Sequence, residues 1–378
     1  MQLSWIYNLP FIQSSIRFLQ NPIQNQYYFL EIKLNAPDKL NAQDTQMVLA
    51  LRNLLLEHQP IEKCIGILLH SDFCKAFCSG GDVKSLYLAQ IKNKQQVCST
   101  VKQFFSNEYR LMLEMKNYPK PIICIANGIT MGGGMGLLCH SSHKVILNDT
   151  KLAMPETLIG FFPDVFASRF LLKTNNNLGV LMAIGALSVK ANMAVELGLV
   201  DYCLPATSKN RFIQELLANT YDLANIHRQL NQHLKSYSSN NHCFIDEQSS
   251  EFWHNRDLNQ FVQDILNTSK EHEFACLITK LTKLLSDKAE ANKRQSSEWK
   301  VLQNNLAYGS PLSLLTIFRQ FNQTFANDES HYEFDLNVAF KLCAYGDFQE
   351  GVRALLVDKQ QDPRWKFKNI NDASLFKF

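Results

Sequence analysis

The stretch PKPIICIANGITMGGGMGL, residues 119–137, passes from an apolar run directly into a segment with five glycines. A short apolar run of this kind is typical of a buried strand. Glycines that follow a strand and precede a helix let backbone N–H groups face a ligand oxygen without obstruction by a Cβ atom. The stretch therefore predicts a buried strand that leads into a glycine loop able to hold a ligand oxygen.

Strand-like and helix-like segments alternate around this stretch. The segments QYYFLEIKL (26–34), KCIGILLHS (63–71) and HKVILND (143–149) are rich in apolar, aromatic or β-branched residues and resemble strands. The segment at 41–58 has helical periodicity, with Asn41 or Asp44 as its N-cap. Alternation of strands and helices predicts an α/β fold with parallel strand pairing.

The character of the sequence changes near residue 205. Residues 210–305 are dominated by helix-like stretches rich in Asn, Gln, Lys and Leu, and SYSSNNH (236–242) is typical of a loop or hinge. The segment at 310–321 predicts a helix, because a serine cap precedes a proline in the first turn. We therefore predict three segments: an N-terminal extension of unknown role (1–15), a core that carries the site (16–205) and a helical C-terminal region (206–378).

Charge and composition argue against several classes of protein. The net charge of +3 is small, and the Lys and Arg residues are spread along the chain, so a nucleic-acid-binding protein is disfavoured. The ten cysteines are scattered, as in a protein of a reducing compartment. The most apolar region (121–140) is interrupted by polar residues and glycines, which disfavours a membrane span. We expect a cytoplasmic location, or the mitochondrial matrix if the source is a eukaryote.

A second glycine loop, KAFCSGGDV (75–83), also follows a predicted strand directly. Two such loops on neighbouring strands would bring two N–H groups together as an oxyanion hole, although a glycine-rich segment is also a common simple turn. Neither loop fits the nucleotide-binding patterns GxGxxG or GxxxxGK[ST]. We expect no metal site, because Cys139, His140 and His143 have no matching cluster elsewhere in the sequence.

The segment MPETLIGFFPD (154–164) places two acids, Glu156 and Asp164, among apolar residues. An apolar lining raises the pKa of a carboxyl group, and a second acid nearby drives the two pKa values apart. Such a pair is suited to acid–base or nucleophilic catalysis. The alternative is structural: Glu156 and Asp164 each follow a proline and would then cap short helices.

Six segments together resemble the crotonase superfamily and, within it, the 3-hydroxyisobutyryl-CoA hydrolase branch. The combination of GITMGGG, MPET and FPD is more specific than the glycine loops alone. The resemblance extends over roughly residues 16–366 and implies a ClpP-like ββα spiral core with a C-terminal α-helical region. The segments are KAFCSGGDV (75–83), PKPIICIANGITMGGGMGL (119–137), LAMPETLIGFFPDV (152–165), SPLSLLTIFRQ (310–320), DFQEGVRALLVDK (347–359) and DPRWK (362–366).

The resemblance implies roles for individual residues. The amides of Gly81 and Gly133 would form the oxyanion hole for a thioester carbonyl. Glu156 would attack the carbonyl carbon or activate water, and these alternatives remain open. Asp164 would orient the second reactant or move the proton. Glu108, in FFSNEYRLML (104–113), would recognise a hydroxyl of the acyl group, unless it is an ordinary solvated helix glutamate.

Two further positions bear on the reaction. Hydratases of the superfamily carry a second glutamate where this chain has Gly136, and the hydrolase branch lacks that glutamate too. After FPDV the family usually has glycines, whereas this chain has Phe166-Ala167-Ser168, which puts the exact substrate in doubt. Lys75 would lie near the phosphates of coenzyme A or, equally, would be a solvated loop lysine.

The expected function is hydrolysis of a short 3-hydroxyacyl-CoA thioester, with 3-hydroxyisobutyryl-CoA, an intermediate of valine breakdown, as the leading candidate. No cofactor is expected, because coenzyme A is part of the substrate. The expected partner is this small molecule; nucleic acid and membrane are not expected, and a homo-oligomer is left open. The alternatives are an enoyl-CoA hydratase or isomerase, and a non-catalytic protein that binds acyl-CoA or a protein partner.

Overall fold

A computed structural model describes residues 7–9, 11–92, 97–238, 247–291, 296–360 and 362–377. Its strands follow the apolar runs of the N-terminal half. In chain order they are β1 (Tyr7–Leu9), β2 (Ile12–Phe18), β3 (Tyr28–Leu34), β4 (Cys64–Ser71), β5 (Ala76–Cys78), β6 (Ile122–Ala126), β7 (Ile129–Met131), β8 (His143–Leu147), β9 (Lys151–Ala153), β10 (Ser188–Lys190) and β11 (Tyr202–Leu204).

Helices are interspersed with these strands and then dominate the C-terminal half. They are α1 (Thr45–His58), α2 (Val83–Lys92), α3 (Val97–Lys116), α4 (Gly133–Cys139), α5 (Ala167–Leu171), α6 (Gly179–Gly185), α7 (Ala191–Glu196), α8 (Lys209–Ala218), α9 (Ile226–Ser238), α10 (Glu247–Trp253), α11 (Arg256–Asn267), α12 (Glu271–Ala291), α13 (Ser297–Tyr308), α14 (Pro311–Phe321), α15 (Asp328–Tyr345), α16 (Phe348–Val352) and α17 (Ile370–Ala373).

The chain divides into two compact units, each assembled from three segments. The first unit comprises the described residues of Met1–Gly81, Asn107–Leu152 and Lys190–Phe244. The second comprises those of Asp82–Ser106, Ala153–Val189 and Ile245–Phe378.

The first unit is built on a seven-stranded sheet with the strand order β1-β2-β3-β4-β6-β8-β11. β1, β2 and β3 pair in antiparallel fashion, and β3, β4, β6, β8 and β11 run parallel. The helices α8 and α9 pack on this sheet through a core of buried aliphatic and aromatic side chains that includes Phe29, Leu68, Ile123 and Phe212. The parallel strands have both faces buried, and for this reason their sequences are continuously apolar.

The second unit is mainly helical. Phe161 stacks on Phe105 with 5.3 Å between ring centroids, and the ring of Phe348 lies 5.4 Å from Phe161. Phe274 of α12 stacks on Phe318 of α14 at 4.5 Å. These aromatic contacts give the helices of this unit a core of their own.

The expected α/β class, with parallel pairing and a helical C-terminal region, is confirmed. Asp44, and not Asn41, caps α1, because its carboxylate accepts from the N–H of Met47. Ser310 caps α14 as expected, accepting from the N–H of Ser313. The three-segment division stays a prediction. Residues 1–6 and 10 of its N-terminal extension, and residues 239–242 of the expected hinge, lie outside the described residues.

The membrane expectation was tested on the helices that the structure describes. Within those ranges, no helix is both long enough and apolar enough to cross a bilayer.

Candidate active site

The two glycine loops meet in the first unit. β5 leads into the first loop and pairs in parallel with β7, which leads into the second; Ala76 is opposite Ile129, and Cys78 is opposite Thr130. The backbones are so close that a Cβ atom on Gly134 would strike the carbonyl oxygen of Cys78. The two glycine loops therefore lie side by side, as predicted.

The first loop is held by the segment that precedes α1. Gly80 has φ +111°, a conformation that glycine adopts readily. Its carbonyl oxygen accepts from the N–H of Gln43 at 2.8 Å, and Gly81 forms an isolated parallel bridge with the same residue. These contacts fix the backbone at Gly81, the first of the two predicted amide donors.

Gly133 is the first residue of α4, directly after Gly132 with φ +51°. The N–H groups of the first helical turn, that of Gly133 included, have no partner within their helix. A Cβ atom on Gly80 would lie 3.7 Å from the nitrogen of Gly133. The structure thus brings the first loop next to the second predicted donor.

Glu108 lies beside Gly133. It is on α3 and only 2% exposed, so it is not a solvated helix glutamate. Its Oε1 atom occupies the position that a Cβ atom on Gly133 would need, and the Nε2 atom of Gln43 would lie 2.7 Å from that same Cβ. Gln43, which is fully buried, was not singled out from the sequence; it lies between the two candidate caps, Asn41 and Asp44, where no local pattern indicates a site.

Glu156 and Asp164 are buried together in the second unit. Glu156 is 5% exposed, and its Oε2 atom has no hydrogen-bond partner among the described residues. Burial raises the pKa of Glu156 well above its usual value, and the nearby charge of Asp164 raises it further. This is the pair of coupled acids that the apolar neighbours predicted.

Neither acid acts as a helix cap. Glu156 is the first residue of a 3₁₀ turn (Glu156–Ile159) whose N-cap is Pro155, and no side chain caps this turn. The N-cap of α5 is Phe166, again without a side-chain cap hydrogen bond. The alternative that Glu156 and Asp164 serve only to cap short helices is therefore wrong.

Gly160 ends the turn that carries Glu156. Its φ is +68°, and a Cβ atom there would strike the backbone of Asp347. The N–H of Phe161 donates to the carbonyl oxygen of Glu156 at 3.0 Å. These contacts fix the conformation of the backbone on the C-terminal side of Glu156.

Phe166, the first of the residues that replace the expected glycines, forms a turn together with Val165. Val165 and Phe166 have φ +49° and +59°, and the N–H of Ala167 donates to the carbonyl oxygen of Asp164 at 2.9 Å. The ring of Phe166 is fully buried; it meets His331 edge-on at 5.0 Å and lies 5.3 Å from the guanidinium of Arg169. The backbone thus adopts a glycine-like conformation without glycine.

Two other expectations concern Lys75 and metals. Lys75 is exposed, as both a lysine near the phosphates of coenzyme A and a solvated loop lysine would be. In the ranges that the structure describes, no three His, Cys, Asp or Glu side chains are grouped so as to hold a metal ion. Nδ1 of His140 lies 2.8 Å from the carbonyl oxygen of Gly136, and Nδ1 of His143 lies 3.0 Å from Ser142 Oγ, as in ordinary structural contacts.

A family model described as enoyl-CoA hydratase/isomerase matches residues 29–375. The chain belongs to this family. A Dictyostelium discoideum protein named "3-hydroxyisobutyryl-CoA hydrolase, mitochondrial" is 31% identical to this chain over 343 residues, 89% of this chain and 84% of that protein. The resemblance to the crotonase superfamily and its hydrolase branch is confirmed.

Two further comparisons describe how varied the relatives are. A Schizosaccharomyces pombe protein named "Small ribosomal subunit protein mS47" is 28% identical over 339 residues, 88% of this chain and 73% of that protein. A crystal structure of an enoyl-CoA hydratase from Rhodobacter sphaeroides 2.4.1 matches with a TM-score of 0.71 and 20% identity, over 96% of both chains. The latter likeness concerns the fold alone, and it confirms the predicted crotonase fold class.

Proposed function

We propose that this chain hydrolyses a short 3-hydroxyacyl-CoA thioester, with 3-hydroxyisobutyryl-CoA as the preferred substrate and 3-hydroxyisobutyrate and coenzyme A as products. The names of several relatives, including the Dictyostelium discoideum protein, support this activity. With this substrate the enzyme would serve valine catabolism.

The observation that carries the proposal is the state of Glu156. Its carboxyl group is buried, one of its oxygens has no partner among the described residues, and its pKa is raised by burial and by the charge of Asp164. A structural acid in an apolar setting is normally hydrogen-bonded. An acid kept without that partner suits the uptake of a proton or attack on a carbonyl carbon.

In the proposed reaction the thioester oxygen accepts hydrogen bonds from the amides of Gly81 and Gly133. Two such donors stabilise the oxyanion that forms when the carbonyl carbon is attacked, each by about 3–4 kcal/mol. Glu156 either forms a bond to that carbon through a carboxylate oxygen or removes a proton from the attacking water. The C–S bond then breaks and the thiolate leaves. If Glu156 has bonded to the carbon, water then hydrolyses the resulting anhydride and frees both Glu156 and the hydroxy acid; if water has attacked, the hydroxy acid forms directly. Asp164 orients the second reactant or carries the proton.

Gly136 supports hydrolysis over hydration. A hydratase must position a water molecule on a carbon–carbon double bond, and two acids share that task in the hydratases that the sequence resembles. Gly136 has no side chain to contribute, and its carbonyl oxygen accepts from the backbone N–H of His140 at the end of α4. Hydrolysis needs the acid at position 156 and does not need one at position 136.

Glu108 supports a substrate with a hydroxyl group. Its buried carboxyl group lies against Gly133, so an acyl chain whose carbonyl is held by that amide has a hydrogen-bond acceptor beside it. A site that bonds a hydroxyl rejects analogues without one more strongly than an apolar pocket rejects a missing methyl group. The acyl group would therefore carry the hydroxyl near its carbonyl end, as a 3-hydroxyacyl group does.

The remaining expectations are part of the same proposal. The reaction needs no cofactor, because coenzyme A enters as part of the substrate. The compartment stays a prediction, the cytoplasm of a bacterium or the mitochondrial matrix of a eukaryote; the name of the Dictyostelium discoideum relative includes "mitochondrial".

A non-catalytic protein is the second candidate. It is favoured by the relative named as a ribosomal subunit protein, and by the replacement of the family's glycines with Phe166-Ala167-Ser168. The retention of Glu156 and Asp164 opposes it, because a protein that only binds has no use for a buried acid with a raised pKa.

A thiol-trapping assay on the purified chain tests these candidates. Short acyl-CoA thioesters are compared with and without a 3-hydroxyl group, and loss of enoyl absorbance is followed in parallel. We expect free thiol with 3-hydroxyisobutyryl-CoA, and slower release from isobutyryl-CoA. Loss of enoyl absorbance without free thiol would identify a hydratase. If both signals are absent, the non-catalytic candidate remains.

A further inference from the structure

The turn that follows Asp164 is held in a conformation that its sequence does not favour. Val165 and Phe166 both have positive φ, as the two central residues of a type I′ turn do. Glycine, Asn and Asp occupy such positions readily, whereas a β-branched residue there is an outlier. Contacts elsewhere must therefore keep this turn in place.

Asp335 of α15 supplies one of those contacts. Its Oδ2 atom accepts from the backbone N–H of Phe166 at 3.0 Å, and both residues are fully buried. Its Oδ1 atom accepts from Nε2 of Gln320 at 3.4 Å, and the same Nε2 donates to the carbonyl oxygen of Pro163 at 2.9 Å. The backbone is thus held on both sides of Asp164, at positions 163 and 166.

His331 lies one helical turn before Asp335 and packs against the same segment. Its Nε2 atom is 3.5 Å from Oδ1 of Asp335 and 3.3 Å from the hydroxyl of Ser168. Its ring stacks on Phe325 at 3.7 Å and meets the edge of Phe166. One face of α15 therefore contacts the turn through a carboxylate and an aromatic ring.

We propose that Asp335 is a positioning residue of the acid pair: it holds the turn after Asp164 in a left-handed conformation that a glycine at 166 would adopt without support, and thereby fixes the Asp164 carboxylate beside Glu156. The inference rests on the proposed function, since it concerns the geometry of the same reaction. Asp335 acts through the backbone of Phe166 and does not itself touch the substrate.

A purely structural role makes a different prediction. If Asp335 only satisfied buried polar groups, its loss would lower stability and would add independently to any change in the turn. If it holds the turn, its importance must fall when residue 165 becomes glycine, because glycine adopts positive φ without external support. The dependence of one substitution on the other separates the two roles.

The experiment uses the full chain and four variants: Asp335→Ala, Val165→Gly, the double variant and Glu350→Gln. The last removes a partly buried carboxylate of the same unit that bonds Arg353 and the N–H of Arg364, neither of which belongs to the turn. kcat and KM for 3-hydroxyisobutyryl-CoA are measured where each variant is folded. Hydrogen exchange of the amides at 165–168 is measured on the same samples.

We expect Asp335→Ala to lower kcat by about 10-fold or more with KM little changed, because misplacement of a catalytic group by about 1 Å has effects of that order. Relative to Val165→Gly, the double variant should lose at most about threefold, a non-additivity that marks residues acting on one another. The amides of 165–168 should exchange faster in Asp335→Ala and normally in Glu350→Gln. Asp335→Asn, which keeps one oxygen to accept from Phe166, should retain most of the activity and serves if the alanine variant does not fold.

Three results would overturn the inference. They are unchanged exchange at 165–168 in Asp335→Ala, faster exchange in that variant with unchanged kcat, and equal losses from Asp335→Ala with and without the Val165→Gly substitution. If the unaltered chain hydrolyses no thioester, the proposed function fails, and the exchange comparison still decides whether Asp335 holds the turn.

Discussion

The Oε1 atom of Glu108 occupies the space in which Gly133 would otherwise carry a β-carbon. Gly133 is the first residue of α4, and its amide has no partner within that helix. Any group bound by this amide therefore has the Glu108 carboxyl group beside it. Glycine is needed at 133 for a reason of space, since the residue does not have a positive φ.

Gly133→Ala should destabilise the fold by about 1–3 kcal/mol, the usual effect of an added methyl group in a packed site. Glu108→Ala should remove the nearer of the two side chains that this methyl group would strike, the other being Gln43, so the two substitutions together should be less harmful than their sum. The free energies of unfolding of both single variants and of the double variant measure this coupling. Gly134→Ala is the control, because its methyl group would strike the backbone oxygen of Cys78, which no side-chain truncation removes.

Glu108→Ala should also change the choice of substrate. Loss of a hydrogen bond to a charged group corresponds to about 10- to 100-fold in kcat/KM, and it should apply only to substrates with a 3-hydroxyl group. The measurement is kcat/KM for 3-hydroxyisobutyryl-CoA and isobutyryl-CoA with both proteins. Equal losses on the two substrates would show that Glu108 does not read the hydroxyl.

Glu156→Gln should reduce kcat by roughly a thousandfold or more while the substrate still binds, because removal of a nucleophile or general base has effects of that size. Turnover is measured by thiol release, and binding by calorimetry with the unreacted thioester. Glu251→Gln, at an exposed position of the same unit, should leave both quantities unchanged. Turnover retained by the position-156 variant would refute the proposed mechanism.

The same variant should be more stable than the unaltered chain at neutral pH. Burial and then Asp164 raise the pKa of Glu156 in the folded protein, so folding favours the protonated acid. Its stabilising contribution is complete below the unfolded pKa of about 4.3 and is lost as the pH rises through the higher folded pKa. Urea unfolding should give similar values for the two proteins near pH 4 and a higher value for Glu156→Gln at pH 8; the opposite order would contradict the raised pKa.

Asp164→Asn should move the acidic limb of the kcat profile to lower pH. The charge of Asp164 raises the pKa of Glu156, and Glu156 must be ionised to attack or to take a proton. Without that charge, ionisation begins at lower pH, although burial still raises the pKa. The buried thiol of Cys343 does not contribute to the limb, because its pKa is raised and it is neutral over this acidic pH range. The limb should be unchanged in Asp287→Asn, at an exposed position on α12.

Local patterns in the sequence predicted the elements that local physics determines. β4 and β6 were recognisable because strands buried on both faces are continuously apolar. The cap of α14 was recognisable because Ser310 and Pro311 are adjacent. The two glycine loops were found for the same reason, since each directly follows a strand.

Contacts between distant segments could not be read in this way. Asp335 and Phe166 are 169 residues apart, and neither stands in a pattern that refers to the other. Asp335 lies in a helix with many polar residues, which are of types that are usually exposed, yet Asp335 is fully buried. Gln43 was likewise missed, because its contact with Gly133 depends on how β5 and β7 pair.

The turn at Val165 and Phe166 illustrates how a lineage can exchange one solution for another. Glycine tolerates a left-handed backbone wherever it occurs, whereas here a carboxylate from a remote helix imposes that backbone on ordinary residues. With the second solution positions 166 and 335 depend on each other during evolution, because substitution of Asp335 becomes harmful once residue 166 is no longer glycine. We therefore expect chains of this branch that lack the glycine at 166 to carry an acid at the position of Asp335.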